Sequence, residues 1–280
     1  MIQQSFLPGP HLQKYIREYV LIHLEIDKDL EVPIKPYPAN PEQGITFYVR
    51  GFVTSVDPVT SIAEKRPSTV IFGQPVSRQN LQPTHEYLML DVRFQPGALY
   101  NFIQIPLTEF LHRNIDAELV LGREVRDVNE KLEGAPDYDK MLAIVETYLW
   151  TKIQQIKEVN YPFEKIGQLI QDNPQSFSLK KIAKEACMSP SQLERKFQCQ
   201  MGVTPKFFSR ICRFYQAFEL KTRKPTLDWL SIAVRTGYSD YQHLVKDFKQ
   251  FSGNAPNLLL EDYTSSVERW LATGLIPNFV

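Results

Sequence analysis

Cysteine is scarce in this 280-residue chain, with Cys187, Cys199 and Cys212 the only three. An odd number without C-x-x-C spacing suggests neither a disulfide framework nor a zinc site, so buried free thiols are the expected state. Long apolar runs are missing as well. No stretch reaches the roughly 20 residues that span a bilayer, and residues 1–20 lack the basic-then-apolar pattern of a signal peptide. A cytoplasmic location with no membrane partner is therefore expected. Catalytic signatures are also lacking, since no GxGxxG, P-loop, GxSxG or HExxH pattern occurs. His11, His23, His85 and His112 are scattered without ligand spacing, so neither a metal nor another cofactor is expected.

Net charge is zero too, but that balance conceals a division. Residues 1–160 hold 16 Lys and Arg against 21 Asp and Glu, a net of −5, and residues 161–280 carry +5. Within 176–257 the count is 14 basic against 6 acidic. A basic module joined to an acidic one suits an anionic partner at one end.

The basic part contains a repeat. "SLKKIAKEACMSPSQLERKFQCQMGVTP" (178–205) aligns with "DWLSIAVRTGYSDYQHLVKDFKQFSGNAP" (228–256), pairing Ile182 with Ile232 and Ala183 with Ala233 at an offset of 50. After the turn the offset is 51, pairing Leu193 with Leu244, Phe197 with Phe248 and Gly202 with Gly253, so the second turn carries one inserted residue. Each copy reads as helix, short turn, helix. Ser189, followed by Pro190 and Gln192, has the pattern of a capped helix start, and Ser239 with Gln242 repeats it. If Leu193 and Phe197 face inward, Ser191, Gln192, Glu194, Arg195 and Lys196 face outward or sideways. In the second copy that face offers Tyr241, Gln242, His243, Lys246 and Lys249. Such side chains read base edges or hold phosphates. Two amphipathic hairpins could equally form an ordinary bundle, but a bundle leaves the duplication and its basic excess unexplained. Two reading helices on a rigid connector could enter major-groove segments about 34 Å apart on one face of a duplex.

These landmarks, "SLKKIA", "MSPSQLERKF", "GVTP", "RFYQAFEL", "SIAVRTGYSD", "FKQFSG" and Pro256, occur in the order found in the AraC/XylS-type bacterial transcription regulators, which residues 161–263 resemble. The resemblance implies a cytoplasmic regulator or activator binding promoter DNA, with RNA polymerase as a further partner and a helix over about 205–222 setting the separation of two readers. It departs from the family pattern where Cys187 replaces a turn glycine, Gln242 a common Ser, Leu244 a common aromatic, and Ala255 a common Thr or Ser. Weaker or altered reading by the second helix is expected from these changes.

The first 130 residues read as a mixed α+β domain built on a β-sheet or barrel. "GITFYVRG" (44–51), "STVIFG" (68–73) and "YLMLDVRF" (87–94) have strand composition. In the last, Leu88, Leu90, Val92 and Phe94 share one face and Tyr87, Met89, Asp91 and Arg93 the other. "RFQPGALYNFIQIP" resembles the sensor domain found ahead of this DNA-binding module in many such regulators. Aromatic and basic residues here, Phe47, Phe72 and Tyr87 with Arg50 or Arg93, are candidates to line an effector pocket, although core residues share this composition. From Asp139 to Val159, Leu142, Val145, Leu149, Ile153 and Ile156 form one apolar helical stripe, expected to be a dimer seam in preference to a core face.

The expected organisation is a sensor domain over 1–135, a connector over 136–160, an all-α domain with two helix-turn-helix units over 161–264, and a tail over 265–280. Function is then a sequence-specific regulator, a homodimer, responding to a small-molecule or protein effector. One alternative is a constitutive regulator with a ligand-free dimerisation domain. Another is an N-terminal enzyme delivered by the DNA-binding module; the DNA-repair proteins built that way carry reactive cysteines, and residues 1–186 hold none.

Overall fold

The computed structural model describes residues 2–58, 60–156 and 163–264. Among the described residues ten strands come first: β1 (Ile2–Phe6), β2 (Ile16–Glu25), β3 (Lys35–Tyr37), β4 (Gly44–Arg50), β5 (Val53–Val56), β6 (Ala63–Lys65), β7 (Thr69–Phe72), β8 (Gln79–Pro83), β9 (Glu86–Phe94) and β10 (Asn114–Asp116). They form two antiparallel sheets, one in the order β1-β2-β9-β4-β7-β10 and one in the order β3-β8-β5-β6. Leu90 of β9 stands opposite both Leu21 of β2 and Phe47 of β4, which fixes the register at the centre of the larger sheet.

Side-chain alternation gives this sheet two buried faces. Ile45, Phe47 and Val49 on β4 join Leu88, Leu90 and Val92 on β9 in a core shared with four helices. Those helices are α1 (Ala98–Ile103), α2 (Ala117–Leu121), α3 (Glu124–Glu133) and α4 (Tyr138–Ile153). The opposite face places Ile22, Tyr48 and Tyr87 against Val53 of the smaller sheet. Both faces of β2 are buried, which is why "IREYVLIHLE" shows no alternation and was not legible as a half-exposed strand.

The α4 stripe is not a dimer seam. Val145, Leu149 and Ile153 are buried in the core beneath the larger sheet, with Leu142 and Ile156 packed at its edge. A seam and a core face have the same periodicity, and here the sheet of the same chain already covers it. The expected domain boundary near 160 and the tail over 265–280 lie outside the described residues.

The C-terminal domain consists of α5 (Phe163–Asp172), α6 (Leu179–Glu185), α7 (Pro190–Met201), α8 (Pro205–Arg223), α9 (Trp229–Arg235), α10 (Tyr241–Ser252) and α11 (Pro256–Thr264). Each helix-turn-helix unit has its own core, and α8 serves both. Phe208 and Cys212 enter the first core with Ile182, Leu193 and Phe197. Ile211 and Phe214 enter the second with Ile232, Leu244 and Phe248. Of the three cysteines only Cys212 is buried; Cys199 is half-buried and Cys187 exposed, because Cys187 occupies the turn between α6 and α7. No helix among the described residues is long and apolar enough to cross a membrane.

Candidate nucleic-acid interface and effector cavity

Capping defines where the second helix of each unit begins. The Ser189 hydroxyl accepts from the Gln192 amide at 3.2 Å, with Pro190 at the first position of α7. In the second unit the cap is Asp240, whose carboxylate accepts from the His243 amide at 2.8 Å, and not Ser239. The inserted residue precedes the cap, so the offset of 51 already applies and Asp240 is the counterpart of Ser189. That amide bond holds the Asp240 carboxyl below the usual aspartate range. Both helices end in a left-handed glycine, Gly202 at φ 80° and Gly253 at φ 73°.

Ser191, Gln192 and Arg195 are exposed on the N-terminal half of α7, while Glu194 and Lys196 are half-buried at its flanks. On α10, Gln242, Lys246 and Lys249 form an exposed stripe at helical spacing, and Tyr241 is half-buried against the second core. His243 is exposed, but its ring turns back on the cap, with Nδ1 3.1 Å from the Asp240 carboxylate. Lys180, Lys181 and Lys184 on α6 extend the basic exposed surface of the first unit. Among the described residues no cluster of metal-binding side chains occurs.

The C-terminal ends of α7 and α10 are held by the N-terminal domain. Gln43 Nε2 donates to the Met201 carbonyl at the end of α7, at 3.0 Å. Four residues earlier, the Ala39 amide donates to the Phe251 carbonyl near the end of α10, at 2.9 Å. Ala39 itself is fully buried in the core of the second unit. One loop, residues 38–43, therefore satisfies a terminal carbonyl on each of α7 and α10. It is anchored from behind through Glu42, whose carboxylate lies 2.9 Å from Arg93 Nε and 3.0 Å from Arg17 Nη2. Burial pushes the Glu42 carboxyl up, against the pull of the two guanidinium groups. A third contact backs α7, where the Leu107 carbonyl would lie 2.9 Å from any Cβ added to Gly202.

Between the two sheets lies a cavity of about 160 Å³. Phe72, Tyr87 and Arg93 line it, as the sequence suggested. Phe47 does not, because it shares the phase of Ile45 and Val49 and points into the helical core. Arg50 is also absent from the wall; it is half-exposed and 3.6 Å from Glu86. Sequence reasoning missed Arg66, Gln74 and Arg113, which stand just outside strands where no periodicity marks a facing. Two wall segments continue into the domain interface. Residues 72–77 carry Val76, which packs on the cores of both helix-turn-helix units, and residues 110–114 carry the neighbouring Leu111, which packs on the first.

Comparison with known proteins follows this division. A family of helix-turn-helix domains matches residues 182–261, and a family described as a domain of unknown function (DUF6597) matches residues 4–116. No curated protein matches the chain by sequence. Among solved structures, ToxT from Vibrio cholerae O395 is similar at 12% identity and TM-score 0.47, covering 90% of this chain and 99% of that one. ToxT from Vibrio cholerae strain SCE256 with a bound unsaturated fatty acid gives 14% and 0.46, covering 86% and 95%. The AraC-like transcriptional activator CuxR gives 11% and 0.28, covering 84% and 90%. The matched helix-turn-helix domain and the duplicated units joined by α8 identify the C-terminal part of the chain as a helix-turn-helix domain of the AraC type, preceded by an N-terminal domain of unknown function.

Proposed function

We propose that the chain is a transcription regulator that reads promoter DNA with α7 and α10 and adjusts their presentation through its N-terminal domain. The observation that carries this reading is the division of each reading helix into two ends. The N-terminal halves offer Arg195, Gln242 and Lys246 to solvent, with Lys249 continuing the exposed stripe along α10, and the C-terminal ends are gripped by one loop of the cavity-bearing domain. Helix-turn-helix readers contact bases with the first turns of the second helix, so the free ends are the ones that DNA needs. Arg195 is assigned to a guanine edge or a phosphate, and Gln242 to a base edge.

An effector acts by binding the two domain arrangements with different affinity. Segments 72–77 and 110–114 form cavity wall on one side and domain interface on the other, so filling the cavity acts on the contacts of both units. A second copy of the chain would raise affinity through effective concentration.

Footprinting on a site selected from random duplexes tests the reading. Two short protected segments about one turn apart are expected, with affinity falling steeply as salt rises. Arg195→Ala should cost about 1–3 kcal/mol at that site. A single protected segment insensitive to Gln242→Ala and Lys246→Ala would reduce the second unit to a structural copy.

A further inference from the structure

We propose that the cavity between the sheets is a site for an organic monoanion of the carboxylate class, with Arg66 meeting the charged head and Ile22, Val53, Leu81 and Met89 holding an apolar body. This deepens the sensor reading above and rests on it. Arg66 follows β6 and lies in the cavity wall, half-buried. Its guanidinium is held in place from three strands. Nε and Nη2 each lie 3.2 Å from the Ser55 hydroxyl, Nη2 lies 2.6 Å from Gln79 Oε1, and Nη1 lies 3.1 Å from the Tyr48 hydroxyl.

All these acceptors are neutral. Among the described residues no carboxylate pairs with Arg66, whereas Arg93 in the same wall is paired with Asp91, Glu18 and Glu42. A guanidinium withdrawn from water without a counter-charge is costly, and an incoming carboxylate relieves that cost with a charge-assisted hydrogen bond. The wall as a whole has the same bias. Apart from Arg93 and Asp91, which pair with each other, its charged residues are Lys35, Arg66 and Arg113, in a half of the chain whose net charge is −5. Concentrating cations at one cavity of an acidic domain is the arrangement that draws an anion inward.

The count of donors limits the head group. Of the five guanidinium N–H groups, four have acceptors, which leaves one on Nη1 for a ligand. One free donor and a nearby Asp91 suit a single negative charge better than a phosphate dianion. Gln74, in the same wall and 1% exposed, donates through Nε2 to the Asn40 and Pro75 carbonyls. Its Oε1 is buried with no donor among the described residues, so a hydroxyl or amide N–H on the ligand body would complete it.

The test is calorimetric titration of the full chain with 4-phenylbutyrate and with 4-phenylbutanol, which has the same body and no charge. The carboxylate should bind at least about tenfold more tightly, Arg66→Gln should remove that preference while leaving the alcohol's affinity unchanged, and Arg66→Lys should keep most of it. If Arg66→Gln does not fold, Arg66→Met serves in its place, and the comparison on the unaltered chain stands without either. Equal affinities for the two probes, no binding of either at millimolar concentration, or a preference that survives loss of the charge would each overturn the proposal. Footprinting the same preparations separates that outcome from a failure of the regulator reading, since two protected segments would still be seen.

Discussion

At the scale of single residues, the turn between α6 and α7 shows what one substitution costs. Cys187 holds φ 53° and its counterpart Gly237 holds φ 77°. A side chain in the left-handed region is strained, and Cys187 is exposed, so no packing offsets the strain. Cys187→Gly should therefore raise stability by about 0.5–1 kcal/mol, the backbone strain relieved less the entropy glycine loses on folding. Urea unfolding, with equal slopes for the two forms, measures it; a midpoint unchanged or lowered would mean the turn does not hold this residue left-handed. The sequence marked this position, because the repeat set a cysteine opposite a glycine. It gave no such mark for Arg66, whose importance lies in what fails to stand beside it.

At the scale of elements, α8 and α10 are joined by a buried carboxylate. Asp247 is 4% exposed. It accepts from Arg210 Nη2 at 2.7 Å, Arg213 Nη2 at 3.3 Å and the Tyr238 hydroxyl at 3.1 Å. The Tyr238 hydroxyl is pushed well above the ordinary phenol range, first by burial and then by that carboxylate. Asp247→Asn keeps the shape and removes the charge from two guanidinium groups that are each partly solvated. A loss of about 1–2 kcal/mol is expected, the low end for bonds to charged groups because water screens the arginines. Denaturation of the single variants and of the double variant with Tyr238→Phe would expose the coupling as non-additivity. Elements were the most legible level. The repeat located α6, α7, α9 and α10, and the alternation of "YLMLDVRF" assigned both faces of β9. The α4 stripe misled because periodicity reports that a face is covered and not by what. Ser239 misled because an insertion in a turn moves the cap by one residue while leaving the hydrophobic spacing intact.

At the scale of the molecule, the grip on α7 and α10 comes from residues 38–43, more than 150 positions from the helix ends they hold. Nothing local in "PANPEQ" announces this; proline and asparagine mark a loop, and the place where a loop docks is set by the folded whole. Ala39→Glu puts a carboxylate among Ile211, Phe214 and Phe251, which the C-terminal core can accommodate only by releasing the loop. The released chain should still fold both domains, appear more extended in solution scattering, and tolerate half-sites one or two base pairs closer or farther apart. Unchanged scattering and unchanged spacing preference would show that α8 alone fixes the readers.

The two-point hold also bears on how such a protein can be rebuilt. If one short loop gauges the distance between α7 and α10, the choice of operator geometry is shared between the two helices proposed to read DNA and a segment outside them. A chimera that keeps the reading helices and exchanges the first domain would then inherit base preference from one parent and half-site separation from the other, so recombining these domains is itself a way to move to a new operator.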